Sequence, residues 1–460
     1  MMKKLTRKTE NGGSSKMKIE QNVPESYLTS RADEKVLGKA GLIAFPESTE
    51  DVQEIVKRAN EEGVHIVPIG TQTGLTSAAY PKDEAWLVST KEMNKIISMD
   101  EEILTLNVEP GVRLIDIIEY LEDTPYFYAP DPGEKTATVA GTASTNAGGM
   151  RAIRYGVTRD NIRGFDVVLA NGDAIHCGSL NNKDASGYDL KDLFIGAEGT
   201  LGIITNFQLK ITPRPRLEKS ILIGYENVTE LAPTVGNILK STLRPVALEL
   251  LEKKGVELSE QLVKETVPEV PGNAHLLVTL AGNNEHDLEA QIEELLSIAR
   301  KNHALEHKVL EDEEHVRTWK VRDNILNGID AAASWKMYDP CVPTNHFTDL
   351  VAESKKLGEE LNIDSAYFGH AGDGNIHICV LQNDYADDEW EELLEKYEDR
   401  LYDMIRDFGG LPSAEHGIGR EKKPYFKRFH NEAYDRALTA IKNALDPKGI
   451  FNPGVTYTED

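Results

Sequence analysis

The segment ATVAGTASTNAGG, at residues 137–149, consists almost entirely of glycine, alanine, serine and threonine. A second segment of this kind, GTQTGLTSA at residues 70–78, lies about 60 residues earlier and follows the apolar run HIVPI. Loops of small residues let the backbone approach a ligand closely and present N–H groups that a diphosphate can accept. Each segment alone is typical of a tight turn, but the two together in one domain favour a bound dinucleotide.

Neither segment has the form of the two commonest nucleotide motifs. No Gly-Lys-Ser or Gly-Lys-Thr of a P-loop occurs in the chain, and no Gly-x-Gly-x-x-Gly pattern opens a βαβ unit. Because the Rossmann fingerprint is missing, a flavin dinucleotide is favoured over a nicotinamide dinucleotide.

Composition restricts the class of protein. At 460 residues the chain exceeds the size of one hydrophobic core, so two domains are expected. A net charge of −26 argues against binding nucleic acid or an anionic membrane surface. Three cysteines without short paired spacing suit a reducing compartment and exclude a self-contained iron–sulfur cluster. No apolar run is long enough for a transmembrane helix. We expect a cytoplasmic protein, either free or attached to a membrane through a partner.

Local patterns around the two loops predict an α+β protein. A Ser-Thr cap, an apolar stripe and Gly63 predict a helix over residues 47–63, followed by a strand at 65–69. Asn171-Gly172 between two apolar runs is typical of a β-hairpin. The long β-run at 202–211 ends at TPRPR, residues 212–216, which indicates a domain boundary. Beyond it, alternating strands and helices indicate a ferredoxin-like arrangement followed by acidic amphipathic helices.

Two glycine-rich turns about 40 residues apart, GHAGDGNIH (369–377) and SAEHGIG (413–419), carry the candidate catalytic residues. The glycines let the chain turn back between His370 and His377, so that both imidazoles can reach one point. With Glu415 they provide the ligand set that zinc- or iron-like ions prefer. His416 is suited to moving a proton near neutral pH. For an isolated histidine, a structural hydrogen bond would be the more common role.

Five motifs occur in the order of a known family: ATVAGTASTNAGG, DLFIGAEGTLGIIT (192–205), GHAGDGNIH, SAEHGIG and DPKGIFNPG (446–454). The sequence resembles FAD-binding oxidoreductases of the vanillyl-alcohol oxidase / p-cresol methylhydroxylase family. Within that family it is similar to the D-2-hydroxyacid dehydrogenase branch, which includes D-lactate dehydrogenase, D-2-hydroxyglutarate dehydrogenase and the FAD subunit of glycolate oxidase. The resemblance extends from about residue 38 to residue 456.

This resemblance implies a domain plan and a flavin site. It implies an N-terminal extension (1–37), a two-subdomain FAD-binding domain of the p-cresol methylhydroxylase type (38–215) and a substrate-binding cap with a metal site (216–456). The phosphate loop contains no histidine or cysteine that could tether the flavin, so FAD is expected to be non-covalent. Thr71 and Gln72 stand where relatives often have glycine. The residues implied to bind FAD are Gly70, Thr71, Gln72, Thr73, Gly74, Leu75, Thr76, Ser77, Glu109, Pro110, Gly111, Pro132, Thr138, Gly141, Thr145, Asn146, Gly149 and Ile203.

The resemblance also implies the reaction, which is FAD-dependent oxidation of a small D-2-hydroxy acid to the 2-keto acid, with D-lactate or glycolate favoured. A divalent metal would polarise the hydroxyl group, with zinc favoured and iron or manganese as alternatives. His416 would take the hydroxyl proton while hydride passes to the flavin. The implied metal ligands are His370, His377 and Glu415.

Arg322 is implied to bind the substrate carboxylate, a task that suits its planar fork. Its alternative role is that of one more cation on an amphipathic helix. Lys336 is a second candidate for binding a carboxylate. Cys379 occupies a position where relatives that accept a second carboxylate often have asparagine, which favours a small monocarboxylate substrate.

Three other functions stay open from the sequence. A D-2-hydroxyglutarate-type dicarboxylate dehydrogenase would need a second basic residue in the substrate site. A non-catalytic FAD subunit that relays electrons would be expected to lose the metal triad and His416, both of which this chain keeps. A zinc-dependent hydrolase would leave the two small-residue loops unexplained. The electron acceptor is not visible in the sequence, and oxygen, a quinone, a cytochrome or a partner redox protein are all candidates.

Overall fold

The N-terminal domain begins with a small sheet, in a computed structural model that describes residues 17–31 and 37–456. This part comprises β1 (Lys18–Glu20), β2 (Ala40–Phe45), α1 (Thr49–Glu62), β3 (Ile66–Ile69) and β4 (Ala85–Ser89). The sheet is four-stranded with the order β1-β2-β4-β3, antiparallel at β1 and parallel elsewhere. Part of the predicted extension therefore belongs to this sheet, whereas residues 1–16 lie outside the described range.

Helix α1 forms where the sequence predicts it, and local interactions explain both ends. The Ser48 side chain accepts a hydrogen bond from the backbone N–H of Asp51, which satisfies one of the free donors of the first turn. Gly63 ends the helix in the left-handed conformation, with φ 67°. One face of the helix is fully buried and consists of Val52, Ile55, Val56 and Ala59.

A second sheet completes the N-terminal domain. Its elements are β5 (Ile96–Asp100), β6 (Thr105–Val108), α2 (Leu114–Tyr120), β7 (Tyr126–Tyr128), α3 (Val139–Thr145), α4 (Ala152–Tyr155), β8 (Ile162–Val168), β9 (Ala174–Gly178), α5 (Lys191–Phe194) and β10 (Ile203–Pro213). The sheet is six-stranded with the order β5-β6-β10-β8-β9, and β7 also pairs with β10. The predicted hairpin is confirmed, because Asn171 and Gly172 connect β8 to β9 and Gly172 has φ 80°.

The C-terminal domain begins with a ferredoxin-like unit. Its elements are β11 (Leu217–Tyr225), α6 (Val228–Lys240), β12 (Ala247–Glu252), α7 (Lys253–Val263), β13 (Ala274–Gly282), α8 (Glu285–Lys301) and β14 (His307–Val309). The four strands lie in the order β14-β11-β13-β12 and pair antiparallel. This split β-α-β arrangement confirms the ferredoxin-like prediction.

Further strands extend this sheet toward the candidate site. The remaining elements are α9 (Asp312–Asp323), α10 (Ile325–Ala332), β15 (Trp335–Tyr338), α11 (Phe347–Leu361), β16 (Asp364–His370), β17 (Asn375–Leu381), α12 (Asp387–Asp407), α13 (Lys423–Phe426) and α14 (Glu432–Leu445). Strands β16, β17 and β15 continue the sheet beyond β12, which makes it seven-stranded. Among the described residues, no helix has both the length and the apolar composition needed to span a bilayer.

The end of the chain returns to the N-terminal domain. Ile450 and Phe451 are buried in the cluster that contains the inner face of α1. The backbone of Ile66 in β3 donates to Ile450 (2.7 Å) and accepts from Asn452 (2.8 Å). The last part of the predicted cap therefore packs on the first sheet and joins the two domains.

A buried ion pair holds this returning segment. The Lys442 ammonium lies 2.6 Å from Asp446 Oδ2 and also donates to two backbone carbonyls. The Asp446 carboxylate in turn accepts from the backbone N–H groups of Ile450 and Phe451. Both side chains are at least nine-tenths buried.

We expect Asp446→Asn to lower the free energy of unfolding by about 3–5 kcal/mol, because it leaves the buried Lys442 charge without a counter-ion. Urea denaturation followed by circular dichroism measures the change. The control is Glu432→Gln, which removes an exposed ion pair with Arg436 on the same helix and should cost less than about 1 kcal/mol. Equal stability of the two variants would contradict this account of the C-terminal segment.

Candidate active site

The three predicted metal ligands meet at one point. Strands β16 and β17 pair so that His370 lies at the end of one strand and His377 within the other, with the glycine-rich turn between them. Both histidines are buried, with 3% and 5% of their surface exposed. Ligand atoms of His370, His377 and Glu415 all lie within 4.8 Å of one another. The spacing and the donor types fit a divalent cation bound by two imidazoles and one carboxylate.

Glu249 orients the first of these ligands. Its fully buried carboxylate, on strand β12, lies 2.8 Å from His370 Nδ1, which leaves His370 Nε2 directed at Glu415 Oε1, 3.1 Å away. Burial lowers the pKa of His370, but the carboxylates of Glu249 and Glu415 outweigh burial and raise it to about 10, so a cation bound at Nε2 would take the place of a proton there. A carboxylate behind a ligating histidine is a common arrangement in metal sites because it fixes the ring orientation.

His377 has a different environment. Burial lowers the pKa of its imidazole to about 3, so the ring is neutral at physiological pH, as a metal ligand must be. Its Nδ1 is buried and has no hydrogen-bond partner among the described residues. An unsatisfied buried nitrogen is costly, and such a group next to two further ligands fits the predicted cation site.

Asp339 fixes the loop at residues 413–421, which carries Glu415 and His416. One carboxylate oxygen of Asp339 accepts hydrogen bonds from three successive backbone N–H groups, those of Ala414 (3.3 Å), Glu415 (3.0 Å) and His416 (3.0 Å). The other oxygen pairs with the buried Lys422 ammonium and lies 3.4 Å from His416 Nδ1. One buried side chain therefore holds the backbone of both the predicted ligand and the predicted base.

His416 lies directly beside the three predicted metal ligands. Its ring stacks on that of His377, with centroids 5.5 Å apart and an angle of 15° between the planes. Asp339 faces its Nδ1, which is the geometry that supports a histidine acting as a proton acceptor through its other nitrogen.

Arg322 is buried and reaches the same group of residues. Its Nε lies 2.8 Å from Glu249 Oε2, and its Nη2 pairs with the same oxygen. Its Nη1 has no hydrogen bond to any described residue, and the guanidinium lies 5.9 Å from the Phe368 ring centroid. Glu249 thus connects the predicted carboxylate-binding arginine to the predicted metal ligand His370.

A single large cavity joins these residues to the two small-residue loops. The empty volume between its walls is about 2120 Å³, including the part open to solvent. A dinucleotide bound along the two loops would therefore lie in the same cavity as the candidate catalytic residues. Arg322, His370, His377, Glu415 and His416 all line it. The predicted FAD-binding residues that line it are Gly70, Thr71, Gln72, Thr73, Gly74, Leu75, Thr76, Ser77, Pro132, Thr138, Gly141, Thr145 and Ile203.

Other predicted residues lie away from the cavity walls. Glu109 accepts a hydrogen bond from the backbone of Lys95, and Asn146 accepts one from the backbone of Arg159. Lys336 pairs with Glu421 and does not line the cavity. The predicted residues outside the lining are Glu109, Pro110, Gly111, Asn146, Gly149 and Lys336, and their binding roles stay predictions.

The two small-residue loops lie so close to each other and to Glu415 that only small residues fit at the contacts. A side chain at Gly70 would overlap the hydroxyl of Thr138, so the first loop packs directly on the second. A Cβ atom at Gly148 would lie 2.8 Å from Glu415 Oε1. In the first loop, Gln72 and Ser77 both have φ 56°. The predicted dinucleotide loops therefore end at the candidate catalytic residues.

Sequence reasoning missed three buried carboxylates, Glu249, Asp339 and Glu198. Each lies in or beside a segment that is otherwise apolar, and each contacts residues far away in the chain. A charged residue within a buried strand, such as Glu249 in ALELLE, was the one local signal available.

Comparison with known proteins places the chain in a family. Residues 40–178 match the family described as "FAD binding domain", and residues 214–456 match "FAD linked oxidases, C-terminal domain". The chain is 38% identical over 416 residues to a D-lactate dehydrogenase of Anaerostipes hadrus, which covers 88% of this chain and 87% of that protein. It is 34% identical over 424 residues to glycolate oxidase subunit GlcD of Bacillus subtilis, covering 91% and 89%.

The fold agrees with these matches. The structure of p-cresol methylhydroxylase with substrate bound superposes with a TM-score of 0.77 at 18% identity, covering 95% of this chain and 92% of that one. The predicted fold class is confirmed, and FAD is the cofactor expected for the large cavity. The chain belongs to the FAD-linked oxidases of the vanillyl-alcohol oxidase / p-cresol methylhydroxylase family.

Proposed function

We propose that the protein oxidises a small D-2-hydroxy acid, with D-lactate or glycolate favoured, to the corresponding 2-keto acid. The proposal includes non-covalent FAD and a divalent metal, with zinc favoured and iron or manganese as alternatives. The observation that carries it is the meeting of His370, His377, Glu415, His416 and Arg322 on the wall of the cavity that the flavin loops also line. The relatives named as D-lactate dehydrogenase and glycolate oxidase subunit support the substrate class.

Arg322 is proposed to bind the substrate carboxylate. Two of its nitrogens are held by Glu249, so the guanidinium is fixed, and Nη1 is left for the ligand. A fixed arginine loses little conformational entropy when it binds a carboxylate, and the charge-assisted hydrogen bond is strong. The carboxylate therefore determines which substrate carbon approaches the flavin loops.

His416 is proposed to accept the hydroxyl proton. The Asp339 carboxylate lies 3.4 Å from Nδ1 and holds the ring, which leaves Nε2 for the substrate hydroxyl group, as expected for a general base. A bound flavin supplies an acceptor for the α-hydride, and a divalent cation supplies Lewis acidity toward the hydroxyl group.

The walls near Arg322 favour a monocarboxylate over a dicarboxylate. Leu326, Met337 and Phe368 line the cavity there and belong to one hydrophobic cluster. Lys336, the predicted second carboxylate-binding residue, pairs with Glu421 instead. Cys379 is fully buried in the same cluster, so its proposed effect on specificity can act only through packing. D-2-hydroxyglutarate is the second candidate substrate, supported by relatives named for that acid.

A partner redox protein or a quinone is proposed as the electron acceptor. The relative from Bacillus subtilis is named as a subunit of glycolate oxidase, which supports a partner protein. A subunit that only relays electrons would have no use for the metal triad and His416, which are intact here.

Anaerobic mixing tests the substrate class. We expect D-lactate or glycolate to bleach the visible flavin absorbance of the purified protein, because Arg322 and the apolar walls accept a monocarboxylic 2-hydroxy acid. L-lactate and D-2-hydroxyglutarate are the matched controls and should bleach it slowly. Fastest bleaching by D-2-hydroxyglutarate would favour the second candidate, and the absence of bleaching by every acid would contradict the proposed oxidation.

Glu249→Gln tests the orientation of His370. It should weaken zinc binding by about 10–100-fold, because loss of the partner behind a ligating histidine has this typical effect. Competition with a chromophoric chelator measures the affinity. The control is Glu252→Gln on the same strand, where the carboxylate contacts Lys355 and the backbone of Tyr367 instead of the triad. Equal zinc affinity in both variants would show that Glu249 has no part in the metal site.

His416→Asn tests whether His416 acts as the base and not as a metal ligand. We expect flavin reduction by the substrate to slow by about 10²–10⁴-fold, the usual contribution of a general base. Zinc affinity should change little, because His416 is not one of the three ligands. Rapid-mixing absorbance and chelator competition measure the two quantities. If the variant bound zinc weakly but its flavin were reduced at the wild-type rate once zinc was saturating, His416 would be a metal ligand and not the base.

A further inference from the structure

The 413–421 loop belongs to the C-terminal domain but is hydrogen-bonded to the N-terminal domain through Glu198. Glu198 Oε1 accepts from the backbone N–H of Ile418 at 2.5 Å. Its Oε2 accepts from the N–H of Gly419 at 2.9 Å and from the Thr456 hydroxyl at 2.6 Å. A single carboxylate therefore holds the two peptide units that follow Gly417 and Ile418.

The fit between Glu198 and this loop is close. A side chain at Gly417, where φ is 79°, would overlap the Glu198 carboxylate. Glu198 itself has φ 49°, a conformation that is unfavourable for a residue with a side chain. It is 4% exposed, and a buried carboxylate is retained only when hydrogen bonds compensate for its lost hydration. Strain and burial at one residue commonly mark a position that is held for function.

The first small-residue loop, residues 70–78, holds the 413–421 loop from another side. The Thr76 hydroxyl donates to the carbonyl of His416 (3.1 Å), and the Thr76 carbonyl accepts from the N–H of Arg420 (2.9 Å). Ser77 donates to the side chain of Glu421 (2.8 Å). Thr76, Ser77 and Glu198 all line the large cavity. Residues around the flavin site therefore contact the backbone on both sides of His416 directly.

We propose that Glu198 is a positioning residue that couples the flavin site to the metal site. FAD in the cavity orders the residues 76–77 and Glu198, and these residues order the loop that carries Glu415. A metal then binds to a ligand that is already in place, so it loses less conformational entropy on binding. By linkage, the metal tightens FAD binding by the same factor. The inference rests on the proposed function only in requiring that FAD and a divalent metal both bind.

Zinc affinity with and without FAD tests this coupling. Protein stripped of flavin and metal is titrated with Zn²⁺ against a chromophoric chelator, in the absence of FAD and then at saturating FAD. In the unaltered protein FAD should tighten Zn²⁺ binding by about 5–150-fold, the usual range for coupled sites. In Glu198→Gln the factor should fall towards one, because the amide NH₂ group cannot accept from the loop N–H groups.

Two further variants complete the test. Asp51→Asn is the matched control, since Asp51 has a buried carboxylate in the same domain that accepts a hydrogen bond from the backbone N–H of Glu47 instead of from the loop. It should keep the full coupling factor. Thr76→Val removes only the hydrogen bond to His416 and should reduce the factor, which keeps the proposal testable if Glu198→Gln does not fold.

The outcomes separate this proposal from the proposed function. A folded Glu198→Gln with the wild-type factor, or unaltered protein whose Zn²⁺ affinity is independent of FAD, would overturn the coupling and leave the proposed oxidation intact. Unaltered protein that binds neither Zn²⁺ nor the alternatives Fe²⁺ and Mn²⁺ would overturn both.

Discussion

The buried carboxylate of Asp339 is the interaction on which the candidate active site depends. It accepts hydrogen bonds from three successive backbone N–H groups and pairs with Lys422, which restricts the backbone of residues 414–416 in a glycine-rich segment. Without those donors, burial of the charge would cost several kcal/mol. The carboxylate and the loop therefore stabilise each other. As a result the adjacent residues Glu415 and His416 are presented together to one cavity.

A second buried carboxylate, Glu249, contacts both a predicted metal ligand and the arginine predicted to bind the substrate. One of its oxygens faces His370 and the other faces Arg322, so the same charge supports the predicted metal ligand and the predicted carboxylate-binding arginine. In a low-dielectric interior, removal of one of these three side chains leaves the other two with unsatisfied hydrogen bonds or unpaired charge. Metal affinity and substrate affinity should therefore be difficult to change independently at these three positions.

Local features of the fold were predictable from sequence, whereas these carboxylates were not. The cap and stop of α1, the Asn171-Gly172 hairpin and the ferredoxin-like unit follow from residues close together in the chain. Asp339 and Glu249 act across 76 and 121 residues, and a single sequence does not say which distant strands pair. Lys336 shows the same limit: neighbouring side chains alternate across a strand, so Met337 lines the cavity while Lys336 faces Glu421.

The most direct test is the rate at which D-lactate reduces the flavin before metal removal, after chelation, and after zinc is restored, measured anaerobically by rapid mixing. The account predicts fast reduction, its loss in metal-free protein that still holds FAD, and its recovery with zinc, because the two histidines and Glu415 act only through a bound cation. Full-rate reduction in protein shown to be free of metal would contradict the central claim that this triad takes part in the reaction.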